Sequence, residues 1–316
     1  MAEKLFLFTV TPGLFASYAL VSHFWPQKLA NYGFKYVSSN FNAVGEDFKV
    51  KRRNIAMNSR KITKRVWKFT KGKKTRETST LVREEIWSLF VQDTLVNTFL
   101  CSGNYLKELA LGYLAYKGII SRREDVLDLE IDHEKNRMQI NIAPECKGFV
   151  SFQVQNDAEK RLPVEPDTDA CRKLKSRKGE DLVVDKEQVF ELMVQLNEQS
   201  VLYKSTHGVH NSAIATPDKI IVFRDDIGRH NTMDMLRGYS LINDLYMGDK
   251  ILVTTCRVTV QIIDKIIKMG IPIIASRGIT TDLALTLAEE AGITLIGFLR
   301  GRRFLVYTGI ERVIGE

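Results

Sequence analysis

Hydrophobic and polar positions follow two rhythms along this 316-residue chain. Up to about residue 147 the apolar runs are short. RVWKFT at Arg65–Thr70 and IWSLFV at Ile86–Val91 have strand character, the second leading into Asp93–Phe99. Leu127–Ile131 and Arg137–Ile142 flank a polar stretch containing Asn136 and predict a hairpin. Between them, Asn104–Gly118 has apolar residues at 106, 109, 110, 113 and 114, the spacing of one helix face. Asn104 is its expected N-cap and Gly118 its stop. Lys186–Gln199 repeats the helix spacing.

The last third alternates strand and helix. Lys219–Phe223, Lys250–Thr255, Ile271–Ala275, Ile293–Phe298 and Phe304–Thr308 are short β-rich runs, with helical Val260–Met269 and Asp282–Ala291 among them. Gly270 and Gly292 stand where helices end in a left-handed residue. ILVTT and IPIIA are continuously apolar, as strands covered on both faces are. The order predicts an α/β domain with a mainly parallel sheet and right-handed crossovers over 201–316, preceded by a smaller β-rich α+β subdomain over 61–147. Residues 148–200 are expected to hold a loop and a linking helix. Gly148–Glu180, with Pro163, Pro166 and the basic run Arg172–Lys178, has the composition of a loop or of a segment mobile until bound. Residues 1–60 form an N-terminal appendage in this reading. Leu5–Val21 resembles a signal h-region, but Pro12-Gly13 interrupts it and it is short of the ~20 apolar residues of a span. A membrane anchor and a misplaced start codon are the alternatives.

Composition narrows the function class. An apolar fraction of 44% is that of a globular protein. Cysteines at 101, 146, 171 and 256 make neither a disulfide scaffold nor a CxxC pair, and no HExxH is present. The expectation is no intrinsic metal, no stable membrane association and a cytoplasmic location, where free thiols survive. Net charge is +8, yet Lys51–Arg76 alone holds twelve Lys/Arg and no acid, so the remainder is mildly acidic. A uniformly basic nucleic-acid binder differs from this. The basic segment is a solvated face with one or two strands, or a flexible arm that meets an anionic partner such as RNA.

In an open parallel sheet, ligands bind at the carboxyl ends of the strands. Four such ends carry Arg, hydroxyl or Gly-backed donors. The first is followed by Asp225, Asp226, Gly228, Arg229, His230 and Asn231; the second by Thr255, Cys256 and Arg257; the third by Arg277, Gly278 and Thr281; the fourth by Phe298, Leu299, Arg300, Gly301, Arg302 and Arg303. Arg forks and backbone N–H groups match phosphate oxygens, and Asp226 can accept from a guanine edge or orient an Arg. The rim therefore predicts a bulky polyanion with a ring system. Each part also has a plain structural reading. DDIGRHN can be a capped turn with Asp226 as cap, Gly228 at positive φ and His230 as a partly buried imidazole. Thr281 can be an ordinary N-cap, and Arg300–Arg303 a charged hairpin turn.

Cys171, in ACRKLK, sits beside cations that favour its thiolate. Cys146 is the second candidate for an exposed thiol, whereas Cys101 and Cys256 adjoin apolar segments and are expected to be buried. His207 and His210 suit hydrogen bonding better than metal binding.

These residues resemble a known family. DDIGRHN with Asp234 resembles the (E/D)D(V/I)GRHN…D signature of the FdhD family, the formate dehydrogenase accessory sulfurtransferases. Further similarities stand in order: Cys101…LKELALGY…GII, THGVH at 206–210, GITLIGFLRG at 292–301, F-x-VYT at 304–308 and Glu311-Arg312. The resemblance covers about residues 61–316. It implies a cytidine-deaminase-like C-terminal fold and a homodimer. It also implies a sulfur carrier that takes persulfide sulfur from a cysteine desulfurase and passes it to the molybdenum (or tungsten) bis-guanine-dinucleotide cofactor of formate dehydrogenase. Cys171 then matches the persulfide cysteine, and Phe298–Arg303 the loop tied to the guanine nucleotide; the rim's other members, including Asp226, Arg229, His230, Arg257 and Thr281, complete the implied cofactor site. Partners are the desulfurase and the dehydrogenase catalytic subunit, with a guanine nucleotide as cofactor mimic.

The departures matter. The family's CGxCG loop has here a single cysteine, with Leu174 in the second position. Cys256 replaces a Gly, Met235 a common Lys, and His207 the first Gly of TGGVH. One thiolate suffices to accept and donate a sulfane sulfur, whereas a second helps to release it. A cofactor-binding chaperone that has lost sulfur transfer is the alternative.

Overall fold

The computed structural model describes residues 60–146, 169, 171, 172, 174 and 182–315. All of them belong to one compact unit, 56–316. The Leu5–Val21 run, the appendage before Arg60 and most of 148–180 lie outside the described residues.

The chain opens with a hairpin, β1 (Lys61–Thr70) and β2 (Lys73–Val82). Its Lys71-Gly72 turn takes φ of 47° and 77°, the positive pair that matches strand twist. The strand β2 fits a basic segment read as a solvated face with one or two strands, but KKTRETSTLV lacks the apolar alternation that would have placed it. Next come β3 (Glu85–Val91), β4 (Thr94–Cys101), helix α1 (Leu106–Tyr116), β5 (Val126–Asp132) and β6 (Arg137–Ile142). The strands form a sheet in the order β4-β3-β6-β5, including the expected β5–β6 hairpin. Strand alternation turns Trp87, Leu89 and Val91 inward, where they meet Leu109 and Leu114 of α1. The expected N-cap shifts by one residue: Tyr105, at φ 52°, precedes the helix and gives it no side-chain cap.

The second half runs β7 (Val184–Asp185), α2 (Lys186–Gln199), α3 (Val201–Thr206), β8 (His210–Ala215), β9 (Ile220–Asp226), α4 (Arg229–Ile242), β10 (Ile251–Thr254), α5 (Val260–Met269), β11 (Ile273–Ser276), α6 (Asp282–Ala291), β12 (Thr294–Arg300), β13 (Arg303–Thr308) and β14 (Val313–Ile314). Helices α2, α5 and α6 have the predicted bounds, and Gly270 and Gly292 close the last two at φ 76° and 67°. Asp185 caps α2 by accepting from Glu187 N–H at 2.8 Å, while Gln188 accepts from Asp185 N–H at 2.9 Å.

The six-stranded sheet has the order β13-β12-β11-β10-β8-β9. The expectation of a mainly parallel sheet needs correction. Only β10, β11 and β12 pair in parallel; β9 points the same way but is separated from them by β8, which is antiparallel to both neighbours, and β13 is antiparallel to β12. The cause is β8, whose HNSAIA opens with three polar residues and so does not stand out from sequence. It returns to β9 through a tight turn, Thr216 N–H donating to Lys219 C=O at 3.0 Å, so no crossover joins the first two strands. Helix α4 was also missed, because its first turn carries the polar motif that has the look of a loop.

Helix α2 covers one face of this sheet, over Val189, Leu192 and Leu196. Helices α4, α5 and α6 cover the other. The two halves meet where α1 crosses α4. A Cβ on Gly112 would stand 1.7 Å from Asp234 C=O, and one on Gly238 would stand 1.9 Å from Glu108 C=O, so the helix backbones touch. A buried bidentate pair, Arg224 to Glu108 at 2.5 Å, ties β9 to α1 beside Tyr105.

Candidate functional site

Because β8 runs against both β9 and β10, the C-terminal ends of β9 to β12 share one edge. The N-terminal ends of β8 and β13 join them, His210 opposite Asp226 and Arg303 opposite Arg300. The loops are laced together. Ser212 Oγ lies 2.9 Å from both Thr232 Oγ1 and Thr254 Oγ1. Arg277 N–H donates to Thr254 C=O at 2.9 Å, Thr281 N–H to Val258 C=O at 3.1 Å, and Phe298 N–H to Gly278 C=O at 2.8 Å. Gly278 allows this closeness, since a Cβ there would meet Cys256 C=O at 2.4 Å. The rim predicted from four separate loops thus exists as one edge.

It is not one pocket. Four strand spacings of ~4.8 Å put the β9 end about 19 Å from the β12 end. At the β12 end, Phe298 sits at φ 55°, a left-handed conformation rare for a bulky residue, in a stretch of shifted register between Gly297 and Arg300. The guanidinium groups of Arg300 and Arg303 lie 4.7 and 5.3 Å from the Phe298 ring centre. Two clefts flank the loop. One of about 560 Å³ lies between α2 and the loops after β11 and β12, lined by Phe190, Asn197, Arg277 and Arg300. Another of about 350 Å³ is lined by Lys186, Phe190, Arg302 and Arg303. Exposed Arg257 and Arg277 and the half-buried Thr281, which caps α6 without a side-chain bond, lie on the middle of the edge. Leu299 sends its side chain into the core, 1% exposed, and Arg302 donates to Glu187 at 2.5 Å. Sequence reasoning missed Phe190 and Asn197, because an amphipathic helix gives no local sign of which loop it faces.

At the β9 end the structure closes what the sequence left open. Asp226 is fully buried, and its carboxylate accepts from Ser102 N–H and Oγ–H at 2.8 Å, Gly228 N–H at 2.9 Å and Asn231 Nδ2 at 2.7 Å. It has no lone pair aimed outward for a guanine edge. Asn231 also donates to Leu100 C=O at 2.8 Å. Gly228 has φ −99°, not the positive value expected; its small size matters instead, a Cβ being 2.7 Å from the Asn231 amide. Arg60 donates to Asp225 Oδ1 at 2.6 Å and to Ser102 Oγ at 2.7 Å. Asp226, Gly228 and Asn231 therefore clamp the first residues of α4 against β4; Asp226 is sealed off, whereas Gly228 and Asn231 stay half-buried and Asn231 lines a cleft with His230. What faces the rim is half-buried His210, Arg229 and His230. Burial first, then Lys265, Arg229 and His210, pushes the His230 imidazole down from 6.5 to about 4; burial and Arg229 also lower His210. Asn211 Nδ2 and Arg229 Nε are buried without a hydrogen-bond partner among the described residues.

Cys171 is half-buried and packs on the α4–α6 side of the core, where Leu174 is buried too. The clefts beside Phe298–Arg303 are on the α2 side, so the structure does not bring Cys171 to that loop. Cys146, expected to be exposed, is buried at 8%, and burial raises its pKa. Cys101 and Cys256 are fully buried as expected, and desolvation pushes Cys101 up to about 12. Among the described residues no three His, Cys, Asp or Glu side chains cluster to hold a metal, and no helix is long and apolar enough to cross a membrane.

A sequence profile described as the FdhD/NarQ family matches residues 82–314. The chain belongs to the FdhD/NarQ family. It is 32% identical to a protein of Halalkalibacterium halodurans named sulfur carrier protein FdhD, over 81% of this chain and 97% of that one. It is 33% identical to the sulfur carrier protein FdhD of Geobacillus kaustophilus, over 84% and 98%. Its fold is similar to the crystal structure of a candidate formate dehydrogenase accessory protein from Desulfotalea psychrophila, with TM-score 0.66 and 21% identity over 81% of this chain and all of that one. The FdhD signature DDIGRHN and the FLRG loop thus occupy the two ends of a single sheet edge.

Proposed function

We propose that this FdhD-family protein is a sulfur carrier serving formate dehydrogenase. Cys171 takes a sulfane sulfur from a cysteine desulfurase, and the rim holds the molybdenum (or tungsten) bis-guanine-dinucleotide cofactor that receives it before insertion into the dehydrogenase catalytic subunit. The observation that carries this reading is the single edge bearing Arg257, Arg277, Arg300, Arg302 and Arg303, with clefts of mixed polar and aromatic lining beside the last three. Arginine forks suit the pyrophosphates, and Phe298 and Phe190 offer ring faces to a guanine. An edge of about 19 Å between its β9 and β12 ends is long for one nucleotide and suits a cargo carrying two. The reading places the protein in the cytoplasm as a homodimer.

The transfer step balances with one cysteine. The Cys171 thiolate attacks the terminal sulfur of the donor persulfide; the new S–S bond forms as the donor's breaks, and the donor thiolate leaves. Delivery as sulfide then needs an external thiol, which attacks the Cys171 sulfur, expels the terminal sulfur and remains as a mixed disulfide. In CxxC relatives the second cysteine is suited to that attack, and Leu174 cannot perform it.

Buried Leu174 favours one competing reading, a cofactor chaperone without sulfur transfer. Peptide-level mass spectrometry after incubation with an active desulfurase and cysteine, without reductant, separates the two. One added sulfur on the Cys171 peptide, absent in Cys171→Ala, supports the carrier. No added sulfur on any peptide leaves the chaperone.

A further inference from the structure

The basic segment singled out in the sequence is not absorbed by the sulfur-carrier reading. The family match begins at residue 82, where the β1–β2 hairpin ends. In the hairpin register Trp67 faces Arg76 and Phe69 faces Lys74. Side chains alternate between faces, so Arg65, Trp67, Phe69, Lys74 and Arg76 share one face, while Glu77, the only acid of the two strands, is on the other and pairs with Lys68 at 3.0 Å. Trp67 is 51% exposed and Phe69 74%. Lys74 Nζ stands 4.4 Å from the Trp67 ring centre and 5.7 Å from that of Phe69, and the Arg76 guanidinium stands 4.6 Å from Trp67.

Two large rings in water cost free energy on a surface that needs neither for packing, and cations alone would suffice to keep the hairpin soluble. Rings two residues apart on a strand are ~6.7 Å apart, close to the stretch of one nucleotide in an extended strand. Lys74 and Arg76 stand over the Trp67 ring, and Lys74 also near Phe69; their long exposed side chains can swing aside to phosphates when a base takes the ring face. We propose that this face of the hairpin binds single-stranded nucleic acid, with successive bases stacked on Trp67 and Phe69 and phosphates held by Arg65, Lys74 and Arg76. An acidic polypeptide matches the charge but leaves the paired exposed rings without a role.

The test uses the full chain and a fluorescently labelled oligouridylate, which contains no guanine for the rim to select. Binding is expected at low salt. Replacing both rings (Trp67→Ala with Phe69→Ala) raises Kd about tenfold or more, since one stacked base contributes ~1–3 kcal/mol. Changing Arg65, Lys74 and Arg76 to Gln flattens the log Kd against log salt slope by about 2, at ~0.7 per phosphate contact. These side chains are exposed, so thermal melting is expected to stay unchanged and shows that the variants fold. Three results overturn the proposal: no binding at low salt; binding that the ring substitutions leave intact while oligoglutamate competes as well as oligouridylate, which assigns the face to an acidic polypeptide; or displacement by GDP, which moves the oligonucleotide to the rim.

Discussion

At the scale of single residues, the rim combines relaxed and strained positions. His207 ends α3 at φ 52°, where the resembled FdhD motif has glycine. A left-handed non-glycine residue costs ~1–2 kcal/mol. His207→Gly recovers part of that against a more flexible unfolded chain, and denaturant melts are expected to show a gain of up to about 1 kcal/mol. His230 makes a pH prediction. Its imidazole titrates near 6.5 when unfolded and at about 4 when folded, because burial and the cations Lys265 and Arg229 oppose its charge. Between those values the unfolded chain binds the extra proton, so stability falls as pH falls from about 6.5 to about 4. Melting temperatures of the wild type are therefore expected to drop further across that window than those of His230→Gln. Above pH 6.5 the imidazole is neutral in both states, and it offers the rim one donor and one acceptor rather than a cation.

At the scale of elements, the contact between α1 and α4 decides whether the site forms. Helix α4 begins at the signature motif, and its direction is set by the backbone contacts at Gly112 and Gly238. Alanine at either position must push the helices apart. Each substitution is expected to cost about 3 kcal/mol or more, the upper range for overpacking, measured by equilibrium unfolding. Gly72→Ala is the contrast. It meets nothing within 4 Å and bears only the strain of φ 77°. The clamp around Asp226 has the same meaning at this level: Ser102 from beyond β4, Gly228 and Asn231 converge on one buried carboxylate. Within the signature motif, Asp226, Gly228 and Asn231 form a joint between a four-stranded and a six-stranded sheet, while Arg229 and His230 stay half-buried beside them.

At the scale of the whole molecule, β9 to β12 bring their C-terminal ends to one edge, and the proposed function assigns that edge to an anionic cargo. Guanine nucleotides are expected to raise the melting temperature more than adenine nucleotides, and Arg300→Ala to remove most of that shift while leaving the unliganded melt unchanged. Arg300 is exposed and contributes to no core, so loss of the shift reports on binding. A thermal scan with GDP and ADP checks this, and no shift with either removes the cofactor-site reading.

Local pattern carried most of the elements. Three helices of the second half and two of their glycine stops are where apolar spacing and composition place them, because each buries one stripe and ends at a residue free to turn left-handed. The ordered motifs likewise sufficed to place the chain in its family. Burial of Cys101 and Cys256 was legible from their apolar neighbours, but that of Cys146 was not, since PECKG has no apolar run to betray the core beside it. Tertiary structure alone decided the rest. The insertion of β8 made the sheet mixed, because strand order depends on which edges pair across the fold and not on any one strand's composition. Distant backbone groups closed the Asp226 carboxylate, and α2 delivered Phe190 and Asn197 to the loop after β12. Sequence determines which faces must be buried and where the chain can turn; which polar group is satisfied by which distant partner is settled only when those faces meet.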